Sequence, residues 1–367
     1  MKKLCYLLCL SLLTACSPQT SNKLLGGKPE QEAKNVILLI GDGMGLTQIS
    51  AGLYSNNNKL YLEQFQQIGL HKSYSSDNLI TDSAAGATAF ACGQKTYNGA
   101  IAVNPDSVSL TTILEEAEAR GMATGLVATS TIVHATPASF IAHVKSRSMY
   151  DEIAAQFLDT EIDYFVGGGK KFFDRRETDD RNIIAELEKK GYQMSNYFIE
   201  DLENISIDPN KNFGYLTSDA DPITVSQGRD YLQTASEKGI SFLKQKSDKG
   251  FFMMIEGSQI DWGGHANNSD YIVTEMIEFD RVIGQVLDFA KADGETLVIV
   301  TADHETGGYA INPGSEMGNI VPGFTSDYHT GTLIPVFAYG PGAELFSGIY
   351  ENTAIYFKMK AALDLGQ

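Results

Sequence analysis

Short β-branched and apolar runs recur along the chain at Val36 to Ile40, Ala123 to Ala128, Tyr164 to Val166, Phe251 to Ile255, Leu297 to Val300 and Val336 to Tyr339. Between them lie stretches with helical spacing of apolar residues, such as Leu110 to Arg120 and Ile272 to Ala290. Strand-like runs alternating with helices predict a mainly parallel sheet covered on both faces, an α/β fold. Residues 36–367 then form a single domain, since folds of this class often exceed the usual domain size. Two stretches depart from the pattern. Residues 170–221, with Lys170, Lys171, Asp174, Arg175, Arg176 and Glu177 close together, read as a surface insertion with helices. Asn312 to Tyr328 is punctuated by Gly and Pro and reads as a loop over the working edge of the sheet.

The amino terminus belongs to targeting. Lys2 and Lys3 precede an apolar stretch from Leu4 to Leu13, the layout of a bacterial secretory signal over residues 1–15. That stretch is about half of the roughly 20 residues a membrane-spanning helix needs. Leu13-Thr14-Ala15-Cys16 resembles a lipobox, which would make Cys16 an acylated mature terminus. Residues 16–35 would then be a lipidated tether. This predicts an exported, periplasmic protein anchored to the bacterial outer membrane, against the plainer reading of a secreted protein with an incidental thiol. Cys5 and Cys9 leave with the signal, so Cys92 stands alone and no intramolecular disulfide is available.

Charge changes the picture only partly. A formal charge of −18 excludes nucleic acid as a binding partner, because phosphate-backbone binding needs a basic surface. It does not exclude anionic substrates, since divalent cations can make one cleft locally positive.

The chemistry gathers at strand ends, where open α/β sheets bind ligands. The first run ends in Gly41, Asp42, Gly43. The run from Phe251 ends in Glu256, with Asp261, Trp262 and His265 shortly after. The run Leu297 to Val300 leads into Thr301, Ala302, Asp303, His304, Glu305, and His329 precedes the last run. Each residue alone reads as a turn or structural position. Three of the six histidines beside such ends, without paired thiolates, predict Zn²⁺, Mg²⁺ or Mn²⁺ binding. Ser83, in Thr81-Asp82-Ser83-Ala84, starts an Ala-rich helix. It is either part of a helix cap or a hydroxyl poised where the helix favours alkoxide and phosphate. Arg147, beyond His134-Ala135-Thr136-Pro137 in a segment able to be helical, offers a fork suited to phosphate.

In order, Asp42-Gly43-Met44-Gly45, Thr81-Asp82-Ser83-Ala84, His134-Ala135-Thr136-Pro137 through Arg147, Glu256 through His265, Thr301-Ala302-Asp303-His304 and His329-Thr330-Gly331 resemble the alkaline phosphatase family. The resemblance runs from about Val36 to Gly342. It implies a three-layer α/β/α sandwich around the central sheet, acting on small-molecule phosphate monoesters through a phosphoserine on Ser83. It also implies two zinc ions and one magnesium per subunit. Asp261, His265 and His329 match the ligands of the first zinc. Asp42, Asp303 and His304 match those of the second, which also contacts Ser83. Asp42, Thr136 and Glu256 match the third metal, and Arg147 the phosphate clamp. His134 and Trp262 stand where enterobacterial members carry Asp and Lys, while other members have His and Trp; an imidazole there would favour zinc or cobalt over magnesium. His71 and His143 match no ligand. Family members are often dimers, so a homodimer is the expectation, although no interface signature is visible.

The rival readings are a phosphodiesterase or a sulfatase of the same superfamily, or a lipoprotein that binds metal or phosphate without turnover. Arg147 favours monoesters over diesters, no sulfatase motif is present, and Ser83 argues against a pure binder.

Overall fold

The computed structural model describes residues 29–366, so the signal, Cys16 and most of the tether lie outside the described residues. In chain order the strands are β1 (Asn35–Gly41), β2 (Gln67–Lys72), β3 (Ala123–Thr131), β4 (Tyr164–Gly168), β5 (Tyr192–Asn196), β6 (Asn212–Leu216), β7 (Phe251–Gly257), β8 (Thr296–Thr301), β9 (Glu305–Thr306), β10 (Ala310–Ile311), β11 (Pro322–Gly323), β12 (His329–Thr330), β13 (Leu333–Tyr339) and β14 (Gly348–Glu351). One sheet takes the order β14-β2-β13-β8-β1-β7-β3-β4-β6-β5. Only β13 runs against its neighbours in that sheet.

Alternation along β1 shows why the chain builds three layers. Val36, Leu38 and Ile40 enter one apolar core, Ile37 and Leu39 the other. The first core is roofed by helices Ser83–Cys92, Ile113–Ala119 and Ala354–Ala362, and the second by Leu46–Ser55, Tyr231–Lys246 and Ser269–Asp293. A strand buried on both faces must be apolar at every position, so only its ends are free to carry polar chemistry. Among the described residues no helix is long and apolar enough to cross a membrane.

The register sets the working edge. Ile40 lies opposite both Glu256 and Thr301, and Ala128 opposite Glu256, so β8, β1, β7 and β3 finish almost level. The four ligand-bearing segments therefore leave adjacent strands at one edge. Residues 170–221 hold more than the helices expected of them. They contribute helices Lys170–Asp174 and Ile183–Lys190, but also β5 and β6, which extend the sheet to its far edge. Their short strands include Gln193, Ser195, Asn196 and Asn212, so no apolar run marks them.

Beyond these strands, buried Arg229 pairs with both Glu275 and Glu278 on helix Ser269–Asp293, tying the preceding loop to the second layer. One guanidinium cannot neutralise two buried carboxylates. Burial pushes Glu278 up to about 7, against the pull of Arg229. A carboxyl that binds its proton more tightly folded than unfolded stabilises fully below the unfolded value, here 4.5, and loses that contribution as pH rises through about 7. In Glu278→Gln the contribution cannot titrate. The variant's melting temperature should therefore gain on that of the parent between pH 4.5 and 8, and a constant difference across that range would contradict the assignment.

Candidate metal centre

Local sequence aims each side chain. Asp42 follows β1 on a turn in which Gly43 takes φ 72°; a side chain on Gly43 would meet the Asp261 backbone at 2.7 Å. Asp261 and His265 sit one turn apart on helix Gln259–His265, directly after β7, so they share a face. Asp303 and His304 lie between β8 and β9. His329 opens β12, which pairs back on β9 with His329 opposite Thr306. Helix Ser83–Cys92 is rich in Ala and Gly, and Gly86 packs where an added Cβ would lie 2.9 Å from Asp303 Cβ. Small residues thus let Ser83 reach the strand ends.

Three clusters result, each with candidate ligand atoms within 4.8 Å of one another: Asp261, His265 and His329; Asp42, Asp303 and His304; and Asp42, His134 and Glu256. In the first, Nε2 of His265 lies 3.3 Å from Asp261 Oδ2 and 3.1 Å from Nε2 of His329. The opposite nitrogens face backbone carbonyls, His265 Nδ1 at 2.7 Å from Asp327 and His329 Nδ1 at 2.8 Å from Thr81. Since a carbonyl only accepts, both Nδ1 atoms carry hydrogen and both Nε2 atoms turn toward Asp261. This is the arrangement that a ligating histidine needs.

In the second cluster, His304 Nε2 lies 3.2 Å from Asp303 Oδ2, 3.5 Å from Asp42 Oδ1 and 3.3 Å from Ser83 Oγ. Asp303 Oδ1 accepts from the N–H groups of Gly43 and His304, whereas Oδ2 has no hydrogen-bond partner. In the third, His134 Nδ1, Thr136 Oγ1, Glu256 Oε1 and both oxygens of Asp42 are likewise buried without partners. His134 therefore stands among the candidate ligands rather than merely near them. Trp262 meets the His134 ring edge-on at 6.2 Å. Arg147 lies in a turn before helix Tyr150–Gln156, not in a helix, and its NH1 donates to Asp82 Oδ2 at 3.0 Å while NH2 lies 3.3 Å from His134 Nε2. Asp82 also caps the Ser83 helix by accepting from Ala85 N–H, so the cap is made by Asp82 and not by the Ser83 hydroxyl. His71 and His143 lie apart, His71 against the Ala302 carbonyl and His143 against Glu115.

The electrostatics favour cations. Burial, then the charges of Asp303, Asp261 and Glu256, push Asp42 well above the carboxylate range, and burial lifts Glu256 to about 7. The hydrogen bond to Asp261 raises His265 to about 9, whereas burial lowers His134 to about 3 and His329 to about 4. Like charges confined together with unpartnered oxygens are costly unless a cation neutralises them. Imidazole nitrogens and carboxylate oxygens form a donor set suited to zinc, while the oxygen-rich third cluster also suits magnesium.

Two positioning residues carried no sequence signal of their own. Thr306 Oγ1 donates to Asp261 Oδ1 and lies 3.2 Å from His304 Nδ1, joining the first cluster to the second. Glu305 accepts from Gln48, Thr330 and the N–H groups of Gly308 and Tyr309, pinning β9 against β12. The partners that give them these roles, Asp261 for Thr306 and Gln48 and Thr330 for Glu305, come from distant segments. Thr306→Val should weaken metal retention about tenfold or more, measured as metal loss to a competing chelator. Thr306→Ser should restore it, and unchanged retention in the valine variant would refute the role.

The alkaline phosphatase family model matches residues 33–322 and 315–365. Alkaline phosphatase 3 of Bacillus subtilis is 34% identical over 94% of this chain and 92% of its own length. The Escherichia coli alkaline phosphatase is 32% identical over 92% of this chain and 87% of its own. The structure of the alkaline phosphatase from the Antarctic bacterium TAB5 superposes with a TM-score of 0.86 at 46% identity, covering 92% of this chain and 99% of that one. A variant of that enzyme with aspartate in place of a histidine has magnesium bound in its M3 site. Likeness this extensive, in sequence as well as architecture, accounts for metal-ready clusters beside a serine: the chain belongs to the alkaline phosphatase family of phosphate monoester hydrolases.

Proposed function

We propose that Ser83 is the nucleophile of this phosphomonoesterase, that Asp261, His265 and His329 hold one zinc ion, and that Asp42, Asp303 and His304 hold a second. Asp42, Thr136 and Glu256 hold a third ion, magnesium in the family pattern, which His134 biases toward zinc or cobalt. The observation that carries this reading is the 3.3 Å approach of Ser83 Oγ to His304 Nε2, inside a cluster in which both Asp42 oxygens and Asp303 Oδ2 are buried without hydrogen-bond partners. Magnesium in the TAB5 variant, where a carboxylate replaces a histidine, fits a preference set by that donor.

When bound, such cations neutralise phosphoryl charge and acidify the groups they touch. The chain's own residues then divide the work. Ser83 Oγ, at the start of a helix whose N–H groups favour negative charge, attacks phosphorus as the bond to the ester oxygen breaks. The alcohol leaves with a proton. Water then cleaves the phosphoseryl bond, giving inorganic phosphate and restoring Ser83. Arg147, held by Asp82, clamps the non-bridging oxygens through both steps.

The experiment is hydrolysis of p-nitrophenyl phosphate at alkaline pH, beside a bis-ester control, after chelation and after restoring zinc with magnesium or cobalt. Monoester turnover should vanish on chelation, return with metal and exceed diester turnover. Ser83→Ala should keep its metal yet lose at least about a thousandfold in turnover. Activity confined to the bis-ester would favour the phosphodiesterase reading instead.

Acylation of Cys16 would hold the enzyme to the periplasmic side of the outer membrane. In support, residues 29–34 enter β1 at the end of the sheet opposite the clusters, so a tether there leaves the cleft facing away from the bilayer. Cys16→Ser should move the enzyme from the membrane to the soluble periplasmic fraction, and an unaltered distribution would rule the anchor out.

A further inference from the structure

Tyr328 closes the loop before β12 and is 47% exposed, a large aromatic left open to solvent beside the metal centre. One face of its ring lies parallel to His329, with centroids 4.4 Å apart and planes 9° apart. His329 in turn stacks on His304 at 3.5 Å, and Nε2 of His304 reaches Ser83 Oγ at 3.3 Å. Three rings thus step from solvent down to the serine. Tyr328 also lies 6.0 Å from the His265 ring, so it touches both imidazoles of the first cluster.

The position has a chemical meaning that rests on the reading above. If Ser83 attacks in line from the His304 side, the ester oxygen departs opposite it, and we place that side at Asp261, His265 and His329. Whatever carbon group that oxygen bears must then pass the rim over this cluster. His329 occupies one face of Tyr328, and nearly half of the residue stays exposed to solvent. A planar π-rich group can stack there or meet the edge, whereas a short alkyl group offers less contact area and no quadrupole. A tyrosine is also a low-entropy platform, with few torsions to freeze on binding.

We propose that Tyr328 is a specificity-determining residue that receives the leaving group and favours aryl over alkyl phosphate monoesters. The reaction it serves is unchanged: the P–O ester bond breaks, and the phenol or alcohol departs past this ring.

The test compares binding of phenylphosphonate, butylphosphonate and inorganic phosphate by calorimetry to the metal-loaded protein, in the parent and in Tyr328→Ala, Tyr328→Leu and Tyr328→Phe. Phosphate bears no leaving group and reports on the clamp and metals alone. The phenyl-to-butyl affinity ratio should fall about fivefold in the Ala and Leu variants and persist in the Phe variant, which keeps the ring. KM for phenyl phosphate relative to glycerol phosphate should rise by the same factor. A ratio that stays constant, or equal losses for all three ligands, would overturn the proposal, the latter making Tyr328 a prop for His329. Should the Ala variant lose metal, the Leu variant decides on the same ratio. Absence of monoester turnover in the parent would instead defeat the functional reading, with the phosphonate ratio still reporting on the rim.

Discussion

Four carboxylates, those of Asp42, Glu256, Asp261 and Asp303, converge at the buried carboxyl edge of the sheet, and their mutual repulsion is the interaction that the rest of the molecule is arranged to sustain. In water such groups would move apart or be screened. Here each is fixed to a strand end or to the helix that follows one, and level registers across β8, β1, β7 and β3 prevent retreat. The strain of that charge density is what makes the edge a receptor for divalent cations.

Holding ligands still requires more than strands. Backbone N–H groups take one oxygen of Asp303 and leave the other free, and carbonyls of Asp327 and Thr81 fix which nitrogen of His265 and His329 faces inward. Thr306 links two clusters through one hydroxyl, and Glu305 fastens the β9–β12 pair that presents His329. Each device satisfies the far side of a ligand and aims its near side, which is how outer partners tune a metal site.

The overall charge of −18 and the function fit together once the cleft is separated from the surface. Arg147 is the cation facing the serine side, with Asp82 orienting it, and bound metals would supply the remaining positive potential. An acidic exterior keeps the enzyme soluble without setting the potential at the site.

Much of this was legible in the chain itself. Fully apolar runs ending in Asp42, Glu256 and Asp303 announced buried strands with chemistry at their tips, because a strand covered on both faces has nowhere else to put a carboxylate. The sequence marked Ser83 as a helix start for the same local reason, a capping Asp82 followed by small residues. It was silent on β2, β5 and β6, whose short, partly polar strands are recruited at or near the margins of the sheet. It left Arg147 in a possible helix where the fold makes a turn. Nor could it reveal that Thr306 bridges Asp261 and His304, or that Tyr328 lies flat on His329. The Thr306 link reaches Asp261 from a distant segment, and the Tyr328 stack is an angle between neighbouring rings, so both exist only once strand register and the β9–β12 pairing fix the backbone. Composition and periodicity thus determined which residues could do chemistry, while the tertiary structure decided which of them meet, because distance in space is set by packing and not by order along the chain.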